Sequence, residues 1–206
     1  MSVEPIVTWT KNNLDAQDPA LRMTASIMWL NSALNDFAGV QVALTTHVNG
    51  QVTGLSNAMN LLRTYTPEGD QSGTTTPNGI DTTLPQWSGP TANQDLYTII
   101  SCLQQNNIGA DYVSLFTIPG STTLCQPGTG NMDWTTAEKN DSDLFSQAGM
   151  QALGQTMQAL NTQMTTQVQT LTSEAGQTNQ LANTMSQAAS SLLANWLQNL
   201  LAAAKA

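Results

Sequence analysis

The 206-residue sequence predicts a mainly α protein. Two long helices are expected to form an antiparallel coiled-coil hairpin, with a loop-rich central insert that holds a short helix and little strand. Three observations predict it. Apolar side chains recur at alternating spacings of three and four over Ile27–Leu62 and again from Met150 to Leu192. That pattern lays one stripe of a helix against another helix. Six of the eight prolines fall between Thr64 and Asp143, and none follows Pro127. Charge is scarce: 9% of residues are Asp, Glu, Lys or Arg, against about 25% in ordinary soluble domains.

The chain divides into four zones. Residues 1–17 read as a flexible N-terminal export or arm segment; Met1 to Gln17 carries Glu4 and Pro5 and no apolar core of a signal peptide. Residues 18–63 read as the first long helix. Asp18 is an N-cap acceptor and Pro19 suits the first helical position. The expected seam runs Ile27, Leu30, Leu34, Phe37, Gln41, Leu44, Val48, Gln51, Leu55, Ala58 and Leu62, apolar at nine of eleven positions. Gly39, Gly50 and Gly54 each cost such a helix about 1 kcal/mol relative to alanine. Its stability must then come from packing, and the small residues let another helix approach.

Residues 64–143 read as a surface-exposed, variable insert. Turn signals are dense there: Pro67-Glu68-Gly69, Pro77-Asn78-Gly79, Pro119-Gly120 and Pro127-Gly128. Leu96, Ile99, Ile100 and Leu103 predict a short helix over Ala92–Asn106, and Tyr112 to Ile118 reads as a short strand. Residues 144–206 read as the second long helix, with Asp141 and Asp143 as candidate N-caps. Its seam runs Met150, Leu153, Met157, Leu160 and Met164, then Val168 and Leu171 after a one-residue shift. It resumes at Leu181, Met185, Ala188 and Leu192 and ends at Trp196, Leu197, Leu200 and Leu201. About 60 residues at 1.5 Å each would span roughly 90 Å, a length whose apolar stripe only another long helix can cover.

Between Leu144 and Ala204 the one ionisable side chain is Glu174. A solvated coiled coil carries Glu and Lys beside its seam; here those places hold Gln, Asn, Ser and Thr. Neutral polar groups pair with neighbouring helices all round the cylinder, whereas a buried charge needs a partner. This segment is therefore expected to be surrounded by protein on most sides. The stripe of Met150, Met157, Met164 and Met185 suits either the core of one folded chain or an interface that must adapt to neighbours.

The charge balance excludes other classes. A net charge of −9 with five scattered basic residues offers nothing to neutralise a polyphosphate or dock on an anionic membrane. No run of 18 apolar residues exists to cross a bilayer. His47, the single histidine, has no nucleophile beside it in sequence, and no glycine pattern matches a nucleotide-binding loop. No catalytic, metal or cofactor site is expected. Asp141 and Asp143 resemble a paired carboxylate but fit a helix start better. Cys102 and Cys125 leave two readings open: two unpaired small apolar side chains, or a disulfide closing a 24-residue loop, which would stabilise by about 3 kcal/mol. The Leu-rich tail from Leu192 to Ala204 reads as a packed helix end; its polar face of Asn195, Gln198 and Asn199 lacks the basic residues of a membrane-surface helix.

An uncleaved polar N-terminus, a long helix, a variable middle and a long uncharged C-terminal helix resemble the filament and tip proteins of bacterial type III secretion systems, nearest the EspA/SseB-like translocator filament group. The pieces that carry the resemblance are the heptads of Ile27–Leu62 and Met150–Leu192, with Asn179-Gln180-Leu181-Ala182-Asn183-Thr184-Met185-Ser186-Gln187. It implies export in an unfolded state, a cytoplasmic export chaperone, and polymerisation into an extracellular filament at the bacterial surface. That filament would extend a secretion needle and conduct effectors to translocator pore proteins and a host membrane. The rival readings are a few-copy needle-tip cap, a membrane-active helical toxin and, last, an enzyme.

Overall fold

The computed structural model describes residues 18–66 and 87–205. The expected arm, residues 1–17, and the turn-rich stretch 67–86 lie outside the described residues. Two long helices, α1 (Pro19–Tyr65) and α5 (Gln147–Ala203), pack against each other, and the middle holds three short ones: α2 (Gly89–Gln105), α3 (Ala110–Leu115) and α4 (Trp134–Asn140).

Asp18 starts α1 as its side chain predicts. Its Oδ1 accepts from the N–H of Ala20 at 2.8 Å and of Leu21 at 3.3 Å, satisfying two donors that the first turn leaves bare. α5 departs from expectation at its start. Neither Asp141 nor Asp143 caps it; Ser146 does, with Oγ accepting from Gly149 N–H at 3.1 Å. Asp141 instead accepts from Leu144 N–H at 3.2 Å and holds the turn that precedes the helix.

The predicted strand over Tyr112–Ile118 is a correction. Ala110–Leu115 is helical, and only Thr117 pairs, in an isolated bridge with Leu124. Gly109 (φ +60) sets the course; a Cβ there would lie 3.1 Å from Leu103 and 3.3 Å from Leu153. A strand also needs a ladder to satisfy its backbone. Here the turn at Pro119-Gly120 brings back just enough chain for Ile118 N–H to reach Thr123 O and Cys125 N–H to reach Phe116 O. α4, which no periodicity announces, is capped by Asp133 accepting from Thr136 N–H.

The chain forms two units: a hairpin unit of residues 18–48 and 167–205, and an insert unit of residues 49–66 and 87–166. In the insert unit Trp134 stacks on Tyr65 with ring centres 4.8 Å apart, and meets Trp87 edge-on at 4.7 Å and Phe145 at 5.9 Å. The Trp134 indole N–H donates to Ala92 O at 3.0 Å, and the Tyr65 hydroxyl donates to Asp95 at 2.6 Å. The middle zone, expected to be loop-rich and surface-exposed, thus carries a packed aromatic core. Asn161 donates to Ser56 at 2.8 Å across the α1–α5 seam of this unit.

On α1 a three-four alternation of buried and half-buried positions runs Thr24, Ile27, Asn31, Leu34, Ala38, Gln41, Thr45, Val48, Val52, Leu55, Met59 and Leu62, with Ala25 and Ala58 beside it also fully buried. It corrects the expected seam by one residue at Leu30, Phe37 and Leu44, whereas Ala58 is buried as expected and Gln51 is half-buried beside Val52. Leu30, Phe37 and Leu44 are displaced from the seam by Asn31, Ala38 and Thr45. On α5 the seam continues past Val168 and Leu171 through Ala175, Thr178, Ala182, Met185, Ala189 and Leu192 to Trp196. Leu181, Ala188, Leu197, Leu200 and Leu201, expected in the seam, are exposed. The extra four-residue step falls between Met157 and Asn161, a local unwinding of the heptad. Gly39, Gly50 and Gly54 face open space, with no atom within 4 Å of a Cβ built on any of them.

Ala175, Ala182 and Ala189 occupy one seam position in three successive heptads, all buried. Enlarging them forces off-rotamer packing. Ala182→Leu is expected to lower stability by about 1–2 kcal/mol, read as a lower urea midpoint by circular dichroism. An unchanged midpoint would show that the seam has slack there.

Candidate assembly surface

The two units divide the apolar side chains unequally. Among the described residues, the eleven largest fully buried side chains all lie in the insert unit, Trp134, Phe116, Phe145 and Leu55 among them. Of the twelve exposed large apolar side chains, eleven lie in the hairpin unit, Ile118 being the exception. The hairpin unit buries Thr24, Ala25, Ala38, Gln41, Val48 and three alanines of α5. It leaves Phe37 54% exposed, Leu44 46% and Leu30 39%.

These exposed residues are ordered. With Thr24, Asn31, Ala38 and Thr45 as heptad position a, Met23, Leu30, Phe37 and Leu44 all stand at g. Ser26, Ala33 and Val40 stand at c. Together they make a second three-four stripe, exposed throughout, that runs beside the occupied seam for about 32 Å at 1.5 Å per residue. Trp29 lies against it at f, 60% exposed. In an antiparallel pair the g positions of both helices share one flank and the e positions the other. Leu181 and Ala188 of α5 are g residues on the same flank, where Glu174 and Asn195 also stand. The opposite flank holds Met28, Asn35 and Val42 of α1 and Thr172, Asn179 and Ser186 of α5, with leucines at Leu193 and Leu200 near the end of α5.

The occupied seam is itself poorly satisfied. Asn31 Oδ1 and Gln41 Oε1 are buried with no hydrogen-bond partner among the described residues, a cost of about 1–3 kcal/mol for each such group. At one end of the hairpin unit the Trp196 indole N–H donates to Asp18 Oδ2 at 3.0 Å. That bond, followed by the Ala20 N–H, draws the Asp18 carboxyl below the usual carboxylate range. A depressed folded-state value means the contribution is whole above the unfolded value and is lost as pH falls through the folded one. The Trp196 indole N–H resonance should therefore shift with a midpoint below the ordinary aspartate value, and Asp18→Asn should remove that step. A step near pH 6–7 would contradict the assignment.

The other expected positions sort as follows. Val48, Leu55, Leu62, Met150, Leu153, Met157 and Met164 are buried; Leu34, Leu160, Leu171, Met185, Leu192 and Trp196 are half-buried. Cys102 and Cys125 are both buried free thiols. Burial pushes the Cys102 thiol up, against the Asn106 amide that donates to its sulfur. In the insert unit an open cleft of about 580 Å³ is lined by Met59, Leu62, Met150 and four glutamines; its one ionisable side chain is Arg63. Among the described residues no three His, Cys, Asp or Glu side chains converge to hold a metal, and no helix is long and apolar enough to cross a membrane.

The exposed stripe escaped the sequence reading because its residues were assigned to the seam. The signal was present in Met23, Ala33 and Val40, which the expected seam left unused. Compared with known proteins, the chain matches no family model, no curated protein and no solved structure.

Proposed function

We propose that this chain is a non-catalytic structural subunit that self-assembles by packing the hairpin unit against further copies of itself. One observation carries the reading: the hairpin unit leaves eleven large apolar side chains exposed, a run of them on α1 in heptad order, and fully buries mainly small and polar ones. Single apolar residues on a surface need no explanation, but a contiguous stripe marks an interaction site. The shortage of charge supports the same reading. Glu174 is the one ionisable side chain between Leu144 and Ala204, so copies that pack there desolvate almost no ions.

The particular assembly follows from the resemblance in layout: an extracellular filament that extends a type III secretion needle and conducts secreted proteins toward a host membrane. In that setting a cytoplasmic export chaperone would cover the stripe before export, and the needle and translocator pore proteins would be the other partners. The test is sedimentation and negative-stain imaging of the full chain over a concentration series. Wild type is expected to form rods above a threshold concentration. Assembly should change little between low and high sodium chloride, because few charges are there to screen. A chain that stays monomeric at millimolar concentration would overturn the proposal, and a small closed oligomer would favour the needle-tip cap.

A further inference from the structure

We infer that the polymer contact joins two different faces of the hairpin unit: the Met23–Leu44 stripe of one copy receives the C-terminal leucines of α5 from the next. The inference rests on the self-assembly reading and adds which surfaces meet. Leu193, Leu197 and Leu200 follow a four-three spacing, with Leu201 beside them; Leu197, Leu200 and Leu201 are exposed. This patch and the α1 stripe follow the same heptad rhythm, so the side chains of one fit between those of the other.

Three features name a second copy as the occupant. The stripe sits on the g flank and the leucine patch on the e flank, so one hairpin unit cannot close its patch onto its own stripe. Contact between unlike surfaces on opposite flanks repeats without closing and builds an open helical polymer. Both surfaces are also almost uncharged: Asp36 is the one ionisable residue between Met23 and Leu44, with Arg22 just before it, and Lys205 is the one beyond Glu174, so their contact desolvates few ions. Finally, the stripe spans about 32 Å and the patch about 12 Å. The stripe is therefore long enough to seat the whole patch of one neighbour.

Mixing two blocked variants of the full chain tests the pairing. Phe37→Lys blocks the stripe and Leu197→Lys blocks the patch. Both residues are exposed, so each variant should keep wild-type helicity by circular dichroism. Each alone is expected to raise the threshold for polymer formation by more than about tenfold and to remain monomeric by light scattering. Mixed in equal amounts, they should form a dimer that grows no further, because one free stripe meets one free patch. If wild type polymerises while the mixture stays monomeric, the pairing is wrong and self-assembly stands. If either variant alone forms dimers, like faces meet and the pairing is again wrong. If both variants polymerise as wild type does, neither surface takes part. A wild type that never polymerises removes this inference together with the function on which it rests.

Discussion

Replacing Trp134 with alanine is expected to remove about 3–5 kcal/mol of stability and to abolish the fixed packing of the insert unit. Trp134 is 1% exposed, and three other rings, Tyr65, Trp87 and Phe145, are arranged around it. Alanine would lose the burial of the indole, the ring pairings worth about 0.5–1.5 kcal/mol each beyond burial, and the donor to Ala92 O. That carbonyl, inside α2, would keep its helical hydrogen bond and lose only the indole's. Trp134→Phe keeps one ring but loses the donor and part of the indole's volume, and should cost less, roughly 1–3 kcal/mol. Urea titrations followed by near-ultraviolet circular dichroism measure both. A loss below about 1 kcal/mol for alanine would mean the cluster is not the core of this unit.

Gly149→Ala should be the second most damaging single change, at about 2–4 kcal/mol. A Cβ at this position would collide with the backbone oxygens of Leu144 and Asp143. Neither carbonyl is free to retreat. The Tyr112 hydroxyl donates to Leu144 O at 2.7 Å, and Asp141 accepts from Leu144 N–H. Burial first, then Asp141 and Asp111, pushes the Tyr112 hydroxyl up to about 12, so it stays a donor across the physiological range. The added methyl must therefore displace the first turn of α5 or break this anchor. Thermal unfolding of Gly149→Ala beside Gly154→Ala makes the comparison, since a Cβ at Gly154 meets only Leu62 at an ordinary 3.8 Å. Equal melting temperatures for the two variants would contradict the argument.

Local chemistry accounts for what could be read without coordinates. Asp18 and Pro19 write the start of α1 in side-chain hydrogen-bonding capacity and a fixed φ, both properties of single residues. Leu96, Ile99, Ile100 and Leu103 announce α2 by spacing alone, and all four are buried. The two long helices follow from unbroken periodicity and the missing prolines. α3 and α4 could not be read this way: a six- or seven-residue helix is too short for a period to register. Asp133 and Gly109 matter there only because of what they touch.

The amino-acid order by itself determined two long helices, a turn-rich middle and a nearly chargeless C-terminal helix, because each rests on composition or on neighbours a few residues apart. Which flank of α1 faces α5 was decided by tertiary structure. Ile27, Leu34, Gln41 and Val48 keep the three-four rhythm equally well with Leu30, Phe37 and Leu44 or with Asn31, Ala38 and Thr45. Hydrophobicity favours the first set; the fold buries the second and leaves the leucines and phenylalanine in solvent. The choice is a rotation of one helix about its axis against a partner more than a hundred residues away. No local pattern encodes that angle, and it is what turns an apparent core into an exposed stripe.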